Sequence, residues 1–208
     1  SNRPFEVNHK TKLVVGTEFM PYKWILEPLI GNIMIDLGGT IVSKASQPIS
    51  ELNVFEHSTK DLKTVPIICY ETVYGEFVSS YTKKGGDFIT IISNDAWWGN
   101  TAGHKQLLSY ARLRAIENRR YIVRSANSGI SAIIDHKGKI LSTLEYGKYG
   151  ILTGTAEKVS GKTFYNNYGD FIARVSIFIS ISMILILFVT SNKNFNYTTP
   201  LDSPMRYD

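Results

Sequence analysis

Cysteine is scarce in this chain, with a single example, Cys69, among 208 residues. One cysteine excludes an internal disulfide framework and any zinc site built on cysteine pairs. The four histidines, at positions 9, 57, 104 and 136, are widely spaced and show no metal-ligand pattern. The sequence therefore predicts no metal site, and it leaves Cys69 as either a small buried hydrophobe or a reactive thiol.

Several familiar enzyme motifs are also missing. The chain has no Gly-x-Ser-x-Gly, no His-Glu-x-x-His and no Gly-x-Gly-x-x-Gly motif. Gly161-Lys162-Thr163 resembles the end of a phosphate-binding loop, but Ala156 stands where that loop needs its first glycine. These absences exclude the corresponding hydrolases and nucleotide sites, and we expect no cofactor.

Long runs of like charge are lacking too, although the net charge is +5 and the pI is near 9.2. Because the Lys and Arg residues are scattered, the pattern does not indicate a nucleic-acid partner, and anionic lipid headgroups suit a modest excess equally well. The composition, 43% hydrophobic and 20% charged, is typical of a folded protein. Ser1 is not followed by a signal sequence, and we expect the chain to be a fragment.

Hydrophobic periodicity predicts an α/β domain. Up to Ser58 the pattern indicates loops and short strands, among them Leu13–Val15 and Ile33–Ile35. Beyond it, apolar runs alternate with amphipathic stretches, which is typical of strands connected by helices. The predicted order is a strand ending at Cys69, a helix over 73–84, a strand over 87–93, a helix over 104–118, a strand over 121–126, a hairpin of 130–135 with 140–144, and a last strand over 150–155.

The segment from Phe171 to Thr190 differs in kind, because Arg174 is its only charged residue. A helix of about 20 apolar residues spans the hydrocarbon core of a bilayer. Tyr165, Tyr168 and Phe171 at its entry suit an aromatic belt. We predict a transmembrane helix; the alternative is a buried core helix, which would need protein on every side.

Cys69 ends an apolar strand and precedes a predicted helix, so its sulfur would lie at the carboxyl end of a strand, where sites in α/β folds gather. A strand-to-helix turn can aim backbone N–H groups at an oxyanion and can favour the thiolate. This setting favours a nucleophile over a buried hydrophobe.

Four blocks of sequence, in order, carry a resemblance to a known family: Pro66–Glu71, Ser93–Gly99, Arg112–Glu117 and Arg124–Ser131. Together they resemble the apolipoprotein N-acyltransferases, the membrane-embedded branch of the nitrilase superfamily. The resemblance implies a nitrilase-like α-β-β-α sandwich, incomplete at its N-terminus and followed by one transmembrane helix. We expect a partial catalytic domain over 1–165, the membrane helix with its lead-in over 166–192, and a short polar tail over 193–208.

The same resemblance implies roles for particular residues. Cys69 would be the nucleophile of a Glu-Lys-Cys triad and Lys10 the group that stabilises the thiolate and the oxyanion, with Lys12 as the competing lysine. Glu18 and Glu71 would support the site, and the backbone N–H of Tyr70 would contribute to the oxyanion hole. Trp97 and Trp98 are candidates to line the substrate pocket, or are half-buried aromatics. We expect a structural set of ion pairs from Arg112, Arg114, Glu117 and Arg124.

The general-base glutamate of the triad is expected well upstream of Lys10, and Glu6 lies too close to it. We therefore expect this chain to be inactive alone. The implied function is transfer of an acyl group from a phospholipid, through a thioester on Cys69, to the N-terminal amine of a diacylated apolipoprotein, on the periplasmic face of a bacterial inner membrane. Two alternatives remain: a membrane-tethered amidase that gives its acyl group to water, and a non-catalytic tethered module.

Overall fold

A computed structural model describes residues 6–15, 17–20, 22–30, 48 and 52–196. Within these ranges the strands form one six-stranded sheet in the order β1-β2-β3-β4-β5-β6. The strands are β1 (Phe55–Glu56), β2 (Lys63–Ile68), β3 (Phe88–Asn94), β4 (Tyr121–Asn127), β5 (Ser131–Ile134) and β6 (Ile140–Leu144). The helices are α1 (Lys23–Ile30), α2 (Gly75–Lys83), α3 (Ala102–Asn118), α4 (Phe164–Tyr168) and α5 (Phe171–Asn196).

Three parallel strands form the centre of the sheet. β2 pairs with β3 and β3 with β4, so that Ile67 lies opposite Ile91 and Ile91 opposite Arg124. Parallel neighbours need a crossover connection, and α2 and α3 provide the two crossovers. The carboxyl ends of β2, β3 and β4 consequently meet at one edge of the sheet, which is where Cys69 follows β2.

The hydrophobic core lies between this sheet and helices α2 and α3. Alternate residues of the parallel strands point to the helices and are fully buried, as period-two alternation requires. These are Val65, Ile67, Ile89, Ile91 and Ile122, and they pack with Phe77, Val78, Tyr81, Leu108, Ala111 and Ala115.

The opposite face of the sheet is more open. Ile92 is 68% exposed there, and a groove of about 490 Å³ runs past Pro66, Ile68, Thr90 and Val123. The described residues thus contain one sheet with its helices, the arrangement expected for half of the predicted sandwich.

Most of the predicted elements after residue 60 are confirmed, including the β5–β6 hairpin. Three expectations are wrong. Leu13–Val15 forms no strand, and only an isolated bridge joins Val15 to Phe19. Helix α1, with Pro28 inside it, forms where only loops and short strands were expected. Residues 150–155 form no strand, and Gly154 packs so closely on Ile133 that a Cβ there would lie 2.5 Å from its side chain. The predicted strand at Ile33–Ile35 lies outside the described residues.

The chain divides into two compact units, 1–169 and 170–208. Within the second, Phe171–Ser191 is a run of 21 residues with mean hydropathy 2.5, and its side chains are not buried. By length and composition this part of α5 is able to cross a membrane, and it is the one such helix in the ranges given above. The predicted boundaries of the catalytic domain (1–165), the membrane segment (166–192) and the polar tail (193–208) remain predictions. The tail beyond residue 196 lies outside the described residues.

Candidate active site

Cys69 stands at a sharp strand-to-helix turn. It follows the last residue of β2 and is the first residue of a 3-10 helix, Cys69–Val73, with a φ of 52°. A non-glycine residue in the left-handed region is uncommon, and such strained positions cluster at functional sites. The side chain is partly exposed. The sulfur therefore lies at the carboxyl edge of the sheet, as the sequence pattern predicts.

Glu71 closes this turn and ties it to the segment that carries Lys10. Its carboxylate is fully buried and accepts three backbone hydrogen bonds, from Ile68 N at 2.8 Å, Thr11 N at 2.6 Å and Lys12 N at 3.2 Å. Burial raises the pKa of Glu71, while the three N–H groups and the charge of Lys10 oppose that rise. One side chain thus joins two segments that are about 60 residues apart in sequence.

Lys10 and Glu18 form a close ion pair beside this connection. Lys10 Nζ lies 2.6 Å from Glu18 Oε2, and the two side chains are 14% and 11% exposed. The same carboxylate oxygen accepts the N–H of Val14 at 2.9 Å, which fixes the turn between the two residues. Glu18 thus restrains both the ammonium group and the backbone that follows it.

Lys12, the competing lysine, is directed elsewhere. Its Nζ lies over the rings of Tyr74 and Phe77, 5.5 Å and 5.7 Å from their centroids. A lysine in this position interacts with the π faces of the two rings. The two lysines therefore have different surroundings, and Lys10 is the one held by a carboxylate.

The carboxyl ends of β3 and β4 complete the surroundings of the sulfur. Cys69 Sγ donates to the carbonyl oxygen of Asn94 at 3.9 Å, and the Asn127 side-chain amide donates to Asn94 Oδ1 at 3.2 Å. The next residue, Asp95, forms a fully buried ion pair with Arg124 of β4. Sequence reasoning missed Asn94 and Asp95, although both lie in the block Ser93–Gly99 directly at the end of a predicted strand.

The expected set of ion pairs is correct only in part. Arg114 pairs with Glu117 at 3.0 Å, as predicted. Arg124 pairs instead with Asp95, and Arg112 donates to the carbonyl of Gly138. Arg124 lies on β4, and its guanidinium group bonds Asp95 after β3 and the carbonyl of Ile130 after β4.

Tyr70, Trp97 and Trp98 lie in the two 3-10 helices of this edge. The Tyr70 ring meets Tyr74 edge to face, with centroids 5.6 Å apart. Trp97 and Trp98 belong to Ala96–Trp98, directly after Asp95, and Trp98 is 45% exposed. The Trp98 ring packs so closely on Gly103 of α3 that a Cβ there would lie 2.4 Å from it. No group of three or more potential metal ligands occurs among the residues with described positions.

Comparison with known proteins agrees with this architecture. The family model for carbon-nitrogen hydrolases matches residues 6–161, and the chain belongs to that family. Membership, together with the mixed sheet and its helices, confirms the predicted α/β nitrilase-like fold class. The chain is also similar to proteins named apolipoprotein N-acyltransferase, which confirms the resemblance drawn from the four sequence blocks.

Two of these relatives illustrate the similarity. One from Vibrio vulnificus is 29% identical over 175 residues, which cover 84% of this chain and 33% of the relative. One from Azotobacter vinelandii is 33% identical over 156 residues, which cover 75% of this chain and 29% of the relative. The chain thus spans about a third of the length of these relatives. Among solved structures, Saccharomyces cerevisiae Nit3 of the nitrilase superfamily aligns with a TM-score of 0.41 and 22% identity, over 50% of this chain and 40% of that chain.

Proposed function

We propose that these residues belong to an N-acyltransferase that moves a fatty acyl group from a phospholipid to the N-terminal amine of a diacylated apolipoprotein. One observation carries the proposal. The buried Glu71 carboxylate binds the backbone at Thr11 and at Ile68, and so places the segment of Lys10 beside the turn of Cys69. The names of the similar proteins supply the acceptor class.

In the first step Cys69 Sγ attacks the ester carbonyl of the phospholipid, forming a C–S bond and a tetrahedral oxyanion. The thiol proton passes to a general base. When the oxyanion collapses, the C–O bond breaks and the lysophospholipid leaves as an alcohol, taking that proton. Lys10 and backbone N–H groups, that of Tyr70 among them, stabilise the oxyanion. The product on the enzyme is an acyl thioester.

In the second step the free α-amine of the lipoprotein's diacylglyceryl cysteine attacks the thioester carbonyl. A C–N bond forms, the C–S bond breaks, and a proton from the amine returns to the sulfur through the base. Thiolate suits both steps, because it is a strong nucleophile and its thioester stays reactive toward an amine. The general base in this proposal is a glutamate outside these 208 residues, so the chain alone does not turn over.

The surroundings of the two lysines support Lys10 as the charged member of the site. Lys10 is mostly buried and held at 2.6 Å by Glu18, so its ammonium group is preorganised. Lys12 is occupied with two aromatic rings. In this proposal Glu18 and Glu71 position Lys10 and the nucleophile turn, and Trp97 and Trp98 line the path of the acyl chains.

The proposal places the catalytic domain, residues 1–165, on the periplasmic face of a bacterial inner membrane. The supporting feature is α5, whose 21-residue apolar run suits a bilayer. Its anchoring segment is 166–192, followed by the tail 193–208. Both substrates are lipids, and an enzyme held at the membrane meets them without extracting them into water.

Acyl transfer is tested with the full-length membrane protein, a phospholipid and a synthetic diacylated lipopeptide, with the triacylated peptide detected by mass spectrometry. We expect Lys10→Met to lower the rate of product formation by about 100- to 1,000-fold, the loss typical of one oxyanion donor. Lys12→Met is the matched control, and we expect it to retain most of the activity.

The same assay examines the principal alternative, which the family name favours: an amidase that gives its acyl group to water. Release of free fatty acid from phospholipid, or of ammonia from small amides, without any triacylated peptide would overturn the transferase proposal. Equal losses in Lys10→Met and Lys12→Met would remove Lys10 from its proposed role.

A further inference from the structure

A fully buried ion pair begins one residue after Asn94, whose carbonyl oxygen accepts from Cys69 Sγ. Asp95 follows β3 and Arg124 lies on β4, and neither side chain has any exposed surface. Burying two charges is costly unless they are paired and hydrogen-bonded, and removing one partner leaves an uncompensated buried charge. Sequence reasoning gave Asp95 no role.

The pair fixes the loop after β3 against two other segments. Ser93 Oγ donates to Asp95 Oδ1 at 2.5 Å, and Asp95 N donates to the carbonyl of Asn127 at 3.2 Å. Arg124 Nε donates to the carbonyl of Ile130 at 3.2 Å. Gly129 packs so tightly that a Cβ there would lie 2.1 Å from Asp95 Oδ2. The position of Asp95 is therefore determined from several sides.

Asn94, the residue before Asp95, is held in place as well. Its side-chain oxygen accepts from Ala96 N at 3.3 Å and from Asn127 Nδ2 at 3.2 Å. With both its side chain and its neighbour held, the Asn94 peptide group has one orientation. Its carbonyl oxygen is the acceptor that lies 3.9 Å from Cys69 Sγ.

We propose that Asp95 and Arg124 are positioning residues for the nucleophile: they hold the Asn94 carbonyl as the hydrogen-bond acceptor of the resting Cys69 thiol. The bond restrains the Cys69 side chain before substrate arrives, so that the sulfur starts from one direction of approach. This inference rests on the proposed function only in taking Cys69 as the nucleophile. The competing explanation is that the pair merely stabilises the fold.

The S–H stretching band of Cys69 distinguishes the two explanations. Because the chain has one cysteine, its infrared S–H band reports on Cys69 alone, and Cys69→Ala identifies it by loss of the band. The full chain is measured in detergent micelles without any acyl donor. We expect Asp95→Asn, which removes the charge but keeps the size, to shift the band to higher wavenumber and to broaden it, as a thiol without a fixed acceptor does.

Asp87→Asn is the matched control. Asp95 directly follows β3, whereas Asp87 directly precedes it, at the end of the strand remote from Cys69. Asp87 is 8% exposed, accepts the N–H of Lys63 at 2.8 Å and pairs with Lys158 at 3.3 Å. It is therefore also a mostly buried, bonded carboxylate, and its loss disturbs the fold without reaching the site. We expect its S–H band to coincide with that of the original chain.

Circular dichroism establishes whether Asp95→Asn folds, and if it does not, the milder Ser93→Ala, which removes one hydrogen bond to Asp95, takes its place. An S–H band that stays unshifted in the folded variant, or one that shifts equally in Asp87→Asn, overturns the inference.

In the full-length enzyme Asp95→Asn should lower kcat by about 10- to 100-fold at unchanged KM, because a misplaced reacting group lowers the rate of the chemical step and not the binding of substrate. Asp87→Asn should keep its kcat per folded molecule. Because the infrared measurement needs no substrate, a failure of acyl transfer would leave its outcome valid, and the two proposals fail separately.

Discussion

Replacing Glu71 by glutamine tests how the site is held together. The buried carboxylate uses one oxygen for Thr11 N and Lys12 N and the other for Ile68 N. A glutamine has the same shape but only one acceptor oxygen, and its NH₂ group has to face an N–H. In its least costly orientation it keeps the bonds to Thr11 and Lys12 and leaves the N–H of Ile68 without a partner.

A buried donor left without its partner costs about 1–3 kcal/mol, which corresponds to about a 5- to 150-fold increase in the population of the opened state. We expect the free energy of unfolding of Glu71→Gln to fall by that amount. We also expect the Ile68 amide, one residue before the nucleophile, to exchange its hydrogen faster by the same factor. In the opposite orientation the amides of Thr11 and Lys12 would be released instead.

The assay combines chemical denaturation in detergent with amide-resolved hydrogen exchange. Glu145→Gln is the matched control, because Glu145 is an exposed glutamate directly after β6, and a surface change of this kind stays within about 0.5 kcal/mol. If Glu71→Gln kept both the stability and the exchange rates of all three amides, Glu71 would not connect the Lys10 segment to the nucleophile turn.

Three further outcomes are expected. Burial raises the pKa of Glu71 above 4.5, so the folded state holds the carboxyl proton more tightly than the unfolded state does. The contribution of this proton to the free energy of unfolding is therefore full below about pH 4.5 and declines as the pH rises through the raised pKa. Denaturation curves recorded against pH should show this decline in the original chain and not in Glu71→Gln. Asn166→Ala should lower the free energy of unfolding by about 1–3 kcal/mol, because the buried Asn166 amide donates to three side chains. Asn167→Ala, at an exposed position on the same helix, should lower it far less when both variants are unfolded thermally. Ile181→Arg, at the middle of the apolar run, should cost about 2.5–3.5 kcal/mol of insertion and reduce the fraction retained in alkali-washed membranes, while Ile181→Leu should not; equal retention would argue against a membrane span.

The central part of the fold was predictable because its signals are local. Apolar residues alternate in β2 and β3 and recur at helical spacing in α2 and α3, and both patterns are visible over a few neighbouring residues. The strands and helices then bury these apolar faces against one another. Helix α1 was missed because Pro28 lies inside it and its side chains remain largely exposed, so no buried stripe marks it. The segment 150–155 has strand-like composition but forms no strand, and its close packing on Ile133 at Gly154 is a contact that no local pattern contains.

The candidate site also contains one part that local sequence predicts and one part that depends on contacts between distant residues. Cys69 and Glu71 are neighbours in sequence, and a strand-to-helix turn could be predicted around them. The ion pair of Asp95 with Arg124 joins residues 29 positions apart on adjacent strands, and only the strand register brings the two together. A charge on a predicted strand, next to a neighbouring strand that is followed by a carboxylate, is the signal that would have found it.

A covalent acyl group on Cys69 is the intermediate that the proposed mechanism requires. The full-length protein is incubated with a phospholipid in the absence of an amine acceptor, and its intact mass and Cys69 peptide are measured. We expect a mass increase of one fatty acyl chain on Cys69, released by hydroxylamine as a thioester is, and absent from Cys69→Ala. An unacylated Cys69, or an acyl group that persists in Cys69→Ala, would contradict this mechanism and leave a non-catalytic membrane-tethered module as the better description.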